Sequence, residues 1–247
     1  VTLPAPPPPA PRWALFLDFD GTLAPLRQHP DDVRVDDATR YALRGAVQRL
    51  DGAVCVVSGR PLRELRRLLG GIERIALVGC HGGEGLDDPA APTCEPAATA
   101  AVRKALAPVA GRFDGVWFED KPVGFAIHYR RFPHAGPTLL QAARDAIAGR
   151  PELRVVAGHA VVEVLPATVS KGVVLERLLT RTPFRGRVPV AVGDDVTDED
   201  AFAAATRAGG FGVLVGARTP SVARYAFADA GAVGEWLRTG GPADATG

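Results

Sequence analysis

Lysine is scarce in this sequence: of 29 basic residues only three, Lys104, Lys121 and Lys171, are not arginine. Where the chain writes positive charge as arginine almost throughout, each lysine raises the question of what arginine could not do there. Methionine is missing altogether, including at position 1, so the natural start of the chain is left open. Cysteine is limited to Cys55, Cys80 and Cys94, an odd number without CxxC spacing. That excludes a disulfide framework or a zinc knuckle and fits a reducing compartment, so a cytoplasmic location is expected. No apolar run approaches the roughly 20 residues a membrane helix needs, and no membrane association is expected. The opening VTLPAPPPPAPR lacks the apolar stretch of a secretory signal. Residues 1–11 read instead as a proline-rich tail with no fold of its own. Nor is there an excess of charge of one sign. A formal net charge of +1, without a basic stripe interleaved with aromatics, argues against nucleic acid as a partner.

With 47% hydrophobic and 23% charged residues, the chain has ample material for a large core. Short apolar runs closed by Gly, Ser or Asp recur: ALFLDFD (14–20), AVCVVSG (53–59), IALVGC (75–80), VPVAVGD (188–194) and FGVLVG (211–216). Unbroken runs of this kind are parallel strands covered on both faces. Helical patterns lie between them at 37–50, 62–69, 171–180, 198–206 and 232–238. The middle of the chain changes character. Helices at 97–110 and 137–148 each precede two runs in which polar and apolar residues alternate: VWFEDK and GFAIHYR, then LRVVAG and HAVVEVLP. Alternation describes a sheet with one covered face. The expected architecture is α/β: a parallel-sheet core over 12–90 and 166–247, with an αββαββ insert over 91–165.

Ligands of open α/β sheets gather beyond the carboxyl ends of the strands. Asp18 and Asp20, Ser58, His81 to Glu84, and Asp194 with Asp195 all fall at such ends. Asp18 and Asp20 share one side of a two-residue period, where their charges repel unless a cation lies between them; a pair like this also serves simply to turn the chain at Gly21. Asp194 and Asp195 offer further oxygens to a hard cation such as magnesium. In VGDDVTDED, Thr197 with Asp200 reads as a helix capping box, which makes Asp198, Glu199 and Asp200 largely structural. Lys171, behind Ser170, opens a helix against the macrodipole and calls for an anion nearby. Ser58, with the backbone amides of Gly59 and Arg60 at a helix start, forms an anion-friendly corner, although Ser58 is equally suited to be an ordinary N-cap. Carboxylates, a cation and fixed donors together describe a phosphate site with a carboxylate nucleophile.

DFDGTLAP, VVSGR, SKG and GDDVTDED, in that order, resemble the four motifs of the haloacid dehalogenase (HAD) superfamily of phosphatases. The wider set, which adds CHGGE, FEDKPVGFAIHYR and VVEVLP, resembles the trehalose-6-phosphate phosphatase family from Trp13 onward over nearly the whole chain. The resemblance implies a Rossmann-like HAD core with an α+β cap that closes over its substrate, and a phosphoric monoester hydrolase acting on trehalose 6-phosphate as a monomer. It implies Asp18 as the nucleophile that becomes an aspartyl phosphate, and Asp20 as the acid and then the base. Thr22, Ser58 and Lys171 hold phosphoryl oxygens or orient Asp20. Magnesium rests on Asp18, the Asp20 carbonyl and Asp194, with Asp195 and Asp198 behind. Glu119, Lys121, Arg130 and Glu163 are implied as sugar contacts, with Gly59, Arg60 and His81 near the substrate. Alternation places Trp117, Glu119 and Lys121, then Ala126, His128 and Arg130, then His159, Val161 and Glu163 on one polar sheet face, which serves a sugar or merely faces solvent. Leu165 and His159 depart from the family pattern, where basic residues are common. Other sugar phosphates, such as sucrose 6-phosphate or glucosylglycerate phosphate, a phosphomutase and a non-catalytic sugar-phosphate binding module are the alternatives.

Overall fold

The computed structural model describes residues 3–27, 32–86, 96–158 and 160–239. His159 and Cys94 lie outside the described residues. The elements run β1 (Trp13–Leu17), α1 (Asp37–Arg49), β2 (Val54–Val57), α2 (Leu62–Leu69) and β3 (Ala76–Val78). There follow α3 (Pro96–Ala110), β4 (Trp117–Asp120), β5 (Phe125–His128), α4 (Gly136–Ala146), β6 (Leu153–Gly158) and β7 (Val161–Pro166). The chain continues through α5 (Lys171–Leu178), β8 (Val188–Gly193), α6 (Glu199–Arg207), β9 (Phe211–Val215), β10 (Tyr225–Phe227) and α7 (Ala230–Thr239). It divides into two compact units, Val1–Gly85 with Lys171–Gly247, and Leu86–Ser170.

The first unit carries a parallel sheet in the order β10-β9-β8-β1-β2-β3. Every residue of β2 and β9, and all of β1 after Trp13, is buried. Successive strand residues point to opposite faces, so this burial means that both faces are covered, as the unbroken apolar runs predict. The helices supply the cover: α1 packs against α7, and α5 against α6. Successive strands are added on one side of β1 (β2, β3) and then on the other (β8, β9, β10), so the topological switch point of a doubly wound fold lies between β1 and β8. The edge strand β10 was not foreseen, because three residues (YAF) are too few to show a period and exist as a strand only through pairing with β9.

The proline-rich segment also departs from expectation. Residues 3–10 form neither helix nor strand, yet they are laid against the first unit. The Trp236 indole N–H donates to the Pro7 carbonyl (2.7 Å), the Ala226 amide to the Pro4 carbonyl (3.0 Å), and Pro6 is buried. Proline carbonyls keep their acceptor strength although the ring has removed the donor, so such a segment can still be tied down.

The second unit is the αββαββ arrangement: an antiparallel sheet in the order β4-β5-β7-β6, with α3 and α4 packed on each other. Phe125, Ile127, Val162 and Val164 face these helices and form a core with Leu106, Leu139 and Ala143. The alternate residues make up the other face.

Candidate active site

β1 and β8 are neighbours, so the residues that follow them meet at the switch point. The Asp18 amide extends the ladder by donating to the Val192 carbonyl (2.8 Å). Gly21, at φ +90°, lets the first loop close on the second: a Cβ there would stand 2.2 Å from an Asp194 carboxylate oxygen. Lys171, the first residue of α5, donates from Nζ to Oδ1 of Asp18 (2.5 Å) and Oδ1 of Asp198 (2.7 Å). These are the anions that its place in the first helical turn calls for.

Asp18, Asp194 and Asp198 each offer a carboxylate oxygen within 4.8 Å of the others. Burial pushes the Asp18 carboxyl well above the usual range against the pull of Lys171, and the charges of Asp198 and Asp194 add to the shift. Burial, with Asp198 beside it, raises Asp194 to about 7. Asp18 and Asp198 overcome the effect of burial on Lys171 and hold its ammonium charged. One ammonium faces three carboxylates, and the buried Oδ1 of Asp194 has no hydrogen-bond partner among the described residues. An oxygen-rich group with surplus negative charge and an unused buried acceptor fits a hard divalent cation.

The third carboxylate of this group is Asp198, and the expected Asp195 lies outside it. The capping box stands two residues earlier than the sequence suggests. Asp195 is the N-cap, its side chain accepting from the Val196 amide (2.7 Å), while Oδ2 of Asp198 accepts from the Asp195 amide (3.0 Å). A 3₁₀ turn over Val196–Asp198 precedes α6, so helical backbone begins before the Thr197 position chosen for the cap. The same turn brings Asp198, 2% exposed, to Lys171.

Ser58, at the end of β2, is buried, and its Oγ accepts from the Arg60 amide (3.1 Å). The first amide of α2, on Leu62, donates to Oε2 of Glu84 (2.8 Å). Glu84 therefore supplies the negative charge that this helix terminus attracts, and the Arg60 amide of the expected anion corner is taken by Ser58. Pro61, and not Ser58, occupies the N-cap position of α2. The Arg60 guanidinium takes both oxygens of Asp20 (Nε to Oδ2 2.6 Å, Nη2 to Oδ1 2.8 Å) and one of Glu64 (3.0 Å). Burial works against its charge, but Asp20 and Glu64 outweigh burial and raise its pKa. His81 and Cys80 are consecutive residues in the left-handed region (φ 55° and 48°), each costing on the order of 1–3 kcal/mol. The His81 amide donates to the Ser58 carbonyl (2.9 Å), and its ring lies so close on Gly59 that a Cβ there would be 2.6 Å from Nε2. Thr22 is fully buried, and its hydroxyl has no hydrogen-bond partner among the described residues.

In the second unit, pairing of Glu119 with Ala126, and of Ala126 with Glu163, sets both acids on one sheet face. Lys121 and Glu163 form an ion pair whose side chains are only 7% and 5% exposed. Oε2 of Glu119 and Nε2 of His128 lie 2.7 Å apart. The Trp117 indole stacks on the His128 ring with centroids 4.1 Å apart. Burial works to raise Glu119, but the His128 hydrogen bond and the Lys121 charge hold it below the usual glutamate range. Arg130, expected on the same strand face, falls in an exposed turn beyond the end of β5.

Residues 16–230 match the sequence model of the trehalose-phosphatase family. The chain belongs to that family. It is 36% identical over 208 residues to trehalose-6-phosphate phosphatase of Escherichia coli K12, covering 83% of this chain and 78% of that one. It is also 36% identical over 214 residues to a probable trehalose-phosphate phosphatase of Sinorhizobium fredii, covering 85% and 80%. Among solved structures, the C-terminal domain of C. albicans trehalose-6-phosphate phosphatase superposes with a TM-score of 0.80 at 24% identity, over 92% of this chain and 91% of that one.

Membership in the trehalose-phosphatase family makes the protein a phosphoric monoester hydrolase of the HAD fold. Within that frame, several contacts escape the motifs. Glu84 capping α2, Arg60 turned to Asp20, and Arg218 near Asp194 are joined by contacts 22, 40 and 24 residues apart. Trp117 and His128 were on the polar face by alternation, but nothing in their spacing predicts that the rings stack. No helix among the described residues is long and apolar enough to cross a membrane.

Proposed function

We propose that the protein hydrolyses trehalose 6-phosphate to trehalose and inorganic phosphate, with magnesium as cofactor and an aspartyl phosphate on Asp18 as intermediate. The observation that carries this reading is the buried group at the switch point, where Lys171 grips Asp18 and Asp198 while Asp194 retains an unused oxygen. Lys171 fixes one oxygen of Asp18 and leaves the other to attack phosphorus. As the bond from phosphorus to the sugar oxygen breaks, Asp20 protonates that oxygen. Asp20 then takes a proton from water, whose oxygen attacks phosphorus and frees Asp18 and phosphate. The Arg60 fork holds both oxygens of Asp20 in place, which orients the acid while leaving a lone pair on each oxygen for the proton it carries. Ser58 accepts from a backbone amide and keeps its own proton for a phosphoryl oxygen, as does Thr22. Asp18, Asp194 and Asp198 would hold magnesium, which when bound offsets the repulsion between a carboxylate nucleophile and an anionic phosphate.

The relatives named for trehalose phosphates support the substrate, and so does the polar face of the cap sheet. There Glu119, Lys121 and Glu163 offer donors and acceptors to sugar hydroxyls beside the half-exposed Trp117 ring. The test is phosphate release from trehalose 6-phosphate, sucrose 6-phosphate, glucose 6-phosphate and p-nitrophenyl phosphate, with and without magnesium and with Asp18→Asn as control. Magnesium-dependent preference for trehalose 6-phosphate is expected. Preference for another ester would keep the mechanism and change the sugar, while inactivity on all four would leave a binding module.

A further inference from the structure

The ladder between β8 and β9 ends at the pairing of Gly193 with Leu214. Beyond it the chain leaves the sheet, and the carbonyls of Asp194 and Asp195 lose their strand partners just where the loop must hold its acids in place. One side chain serves both. Arg218, in the loop after β9, donates from Nε to the Asp194 carbonyl (3.4 Å) and from Nη2 to the Asp195 carbonyl (3.3 Å). Its Nη1 donates to the Pro220 carbonyl (2.8 Å), and Nη2 is also paired with Glu199. Glu199 in turn accepts the Val222 amide on Oε2 (2.9 Å), which ties the start of α6 to the same loop. Both charged side chains are more than three-quarters covered.

We propose that Arg218, with Glu199 as its counter-ion, is a positioning residue for the cation-binding loop. It acts through the backbone that carries Asp194 and does not touch the cation or the substrate. A planar fork with five donors can serve three carbonyls and a carboxylate at once, one acceptor more than the three hydrogens of an ammonium can meet. The inference rests on the magnesium reading above and assigns a task to Glu199, which the motif alone marks as a helix-start acid.

The experiment is calorimetric titration of the full chain with magnesium, for the native protein, Arg218→Ala, Arg218→Lys and Glu199→Gln, alongside thermal melting without metal. Removing an outer partner of a metal site costs about 10–100-fold in affinity. A loss of that size is expected for Arg218→Ala, with a smaller loss for Arg218→Lys and Glu199→Gln and near-native melting of all metal-free forms. At saturating magnesium, turnover should recover most of the way. Equal affinity in the native protein and Arg218→Ala overturns the proposal and leaves the magnesium reading standing. If the native protein itself binds no magnesium, both fall. Should Arg218→Ala fail to fold, Glu199→Gln decides by the same measure: an affinity equal to native overturns the brace.

Discussion

Each unit of this protein builds a polar group around one of its few lysines, and the two groups are composed differently. In the core unit one ammonium, Lys171, meets three carboxylates at loop ends beyond parallel strands. In the cap unit Lys121 is matched by Glu163, and Glu119 by His128, on the flat face of an antiparallel sheet. The core group is short of positive charge, which suits it to a cation and, through that cation, to a phosphate. In the cap group each carboxylate has its own partner, so donors and acceptors are held in fixed positions, as the proposed recognition of a polyol requires. The two groups thus use the same residue types and differ in how their carboxylates are partnered.

The strongest way to break this contrast is to remove one charged partner from each group. Lys171→Ala strands two buried carboxylates and should cost about 3–5 kcal/mol of stability, read by denaturant titration. It should also lower phosphate release by on the order of 10³-fold or more on every ester, p-nitrophenyl phosphate included. The cap is expected to respond selectively. Glu163→Gln removes a charged hydrogen bond worth about 1.5–3 kcal/mol, which predicts a roughly 10–150-fold fall in kcat/KM for trehalose 6-phosphate and little change on p-nitrophenyl phosphate. Equal losses on both esters would deny the cap its part in sugar recognition.

A smaller effect separates the units by pH. Asp18 and Asp194 titrate above their ordinary range, Asp194 at about 7, so the folded core holds more protons than the unfolded chain between that range and the raised values. Metal-free stability contributed by the core should therefore fall as pH rises toward 7. Glu119 is shifted the other way. Its contribution is complete above the ordinary glutamate range and is lost as pH falls through its lowered value. Melting of metal-free native, Asp194→Asn and Glu119→Gln proteins across pH checks this: the two substitutions should flatten opposite limbs of the profile, and flattening of the same limb would contradict it.

Much of this was legible in the sequence because the signals are local. Unbroken apolar runs marked five of the six core strands, and alternation sorted Phe125 and Ile127 from Ala126 and His128. The motifs brought Asp18, Lys171 and Asp194 to one rim because parallel strands place their carboxyl ends together. What escaped was set by contacts distant in sequence or by backbone that local rules misplace. The pairing of Arg60 with Asp20 went unread because it crosses from one loop to another. The capping box slipped by two residues because a 3₁₀ turn preceded α6, so local pattern alone marked Asp198 as a helix-start acid and only the family resemblance set it with the metal group. The tail looked unanchored because its ties run to Ala226 and Trp236, at the other end of the chain.

The scarcity of lysine has a practical side. With Lys171 and Lys121 covered inside their ion pairs, Lys104 is the one exposed lysine side chain. It stands on α3, a helix that covers the apolar face of the cap sheet, opposite the face that carries Lys121. Among the lysines, an amine-reactive dye or surface linker will therefore attach at Lys104 and spare both polar groups, so the folded protein can be tagged on α3 without a designed handle.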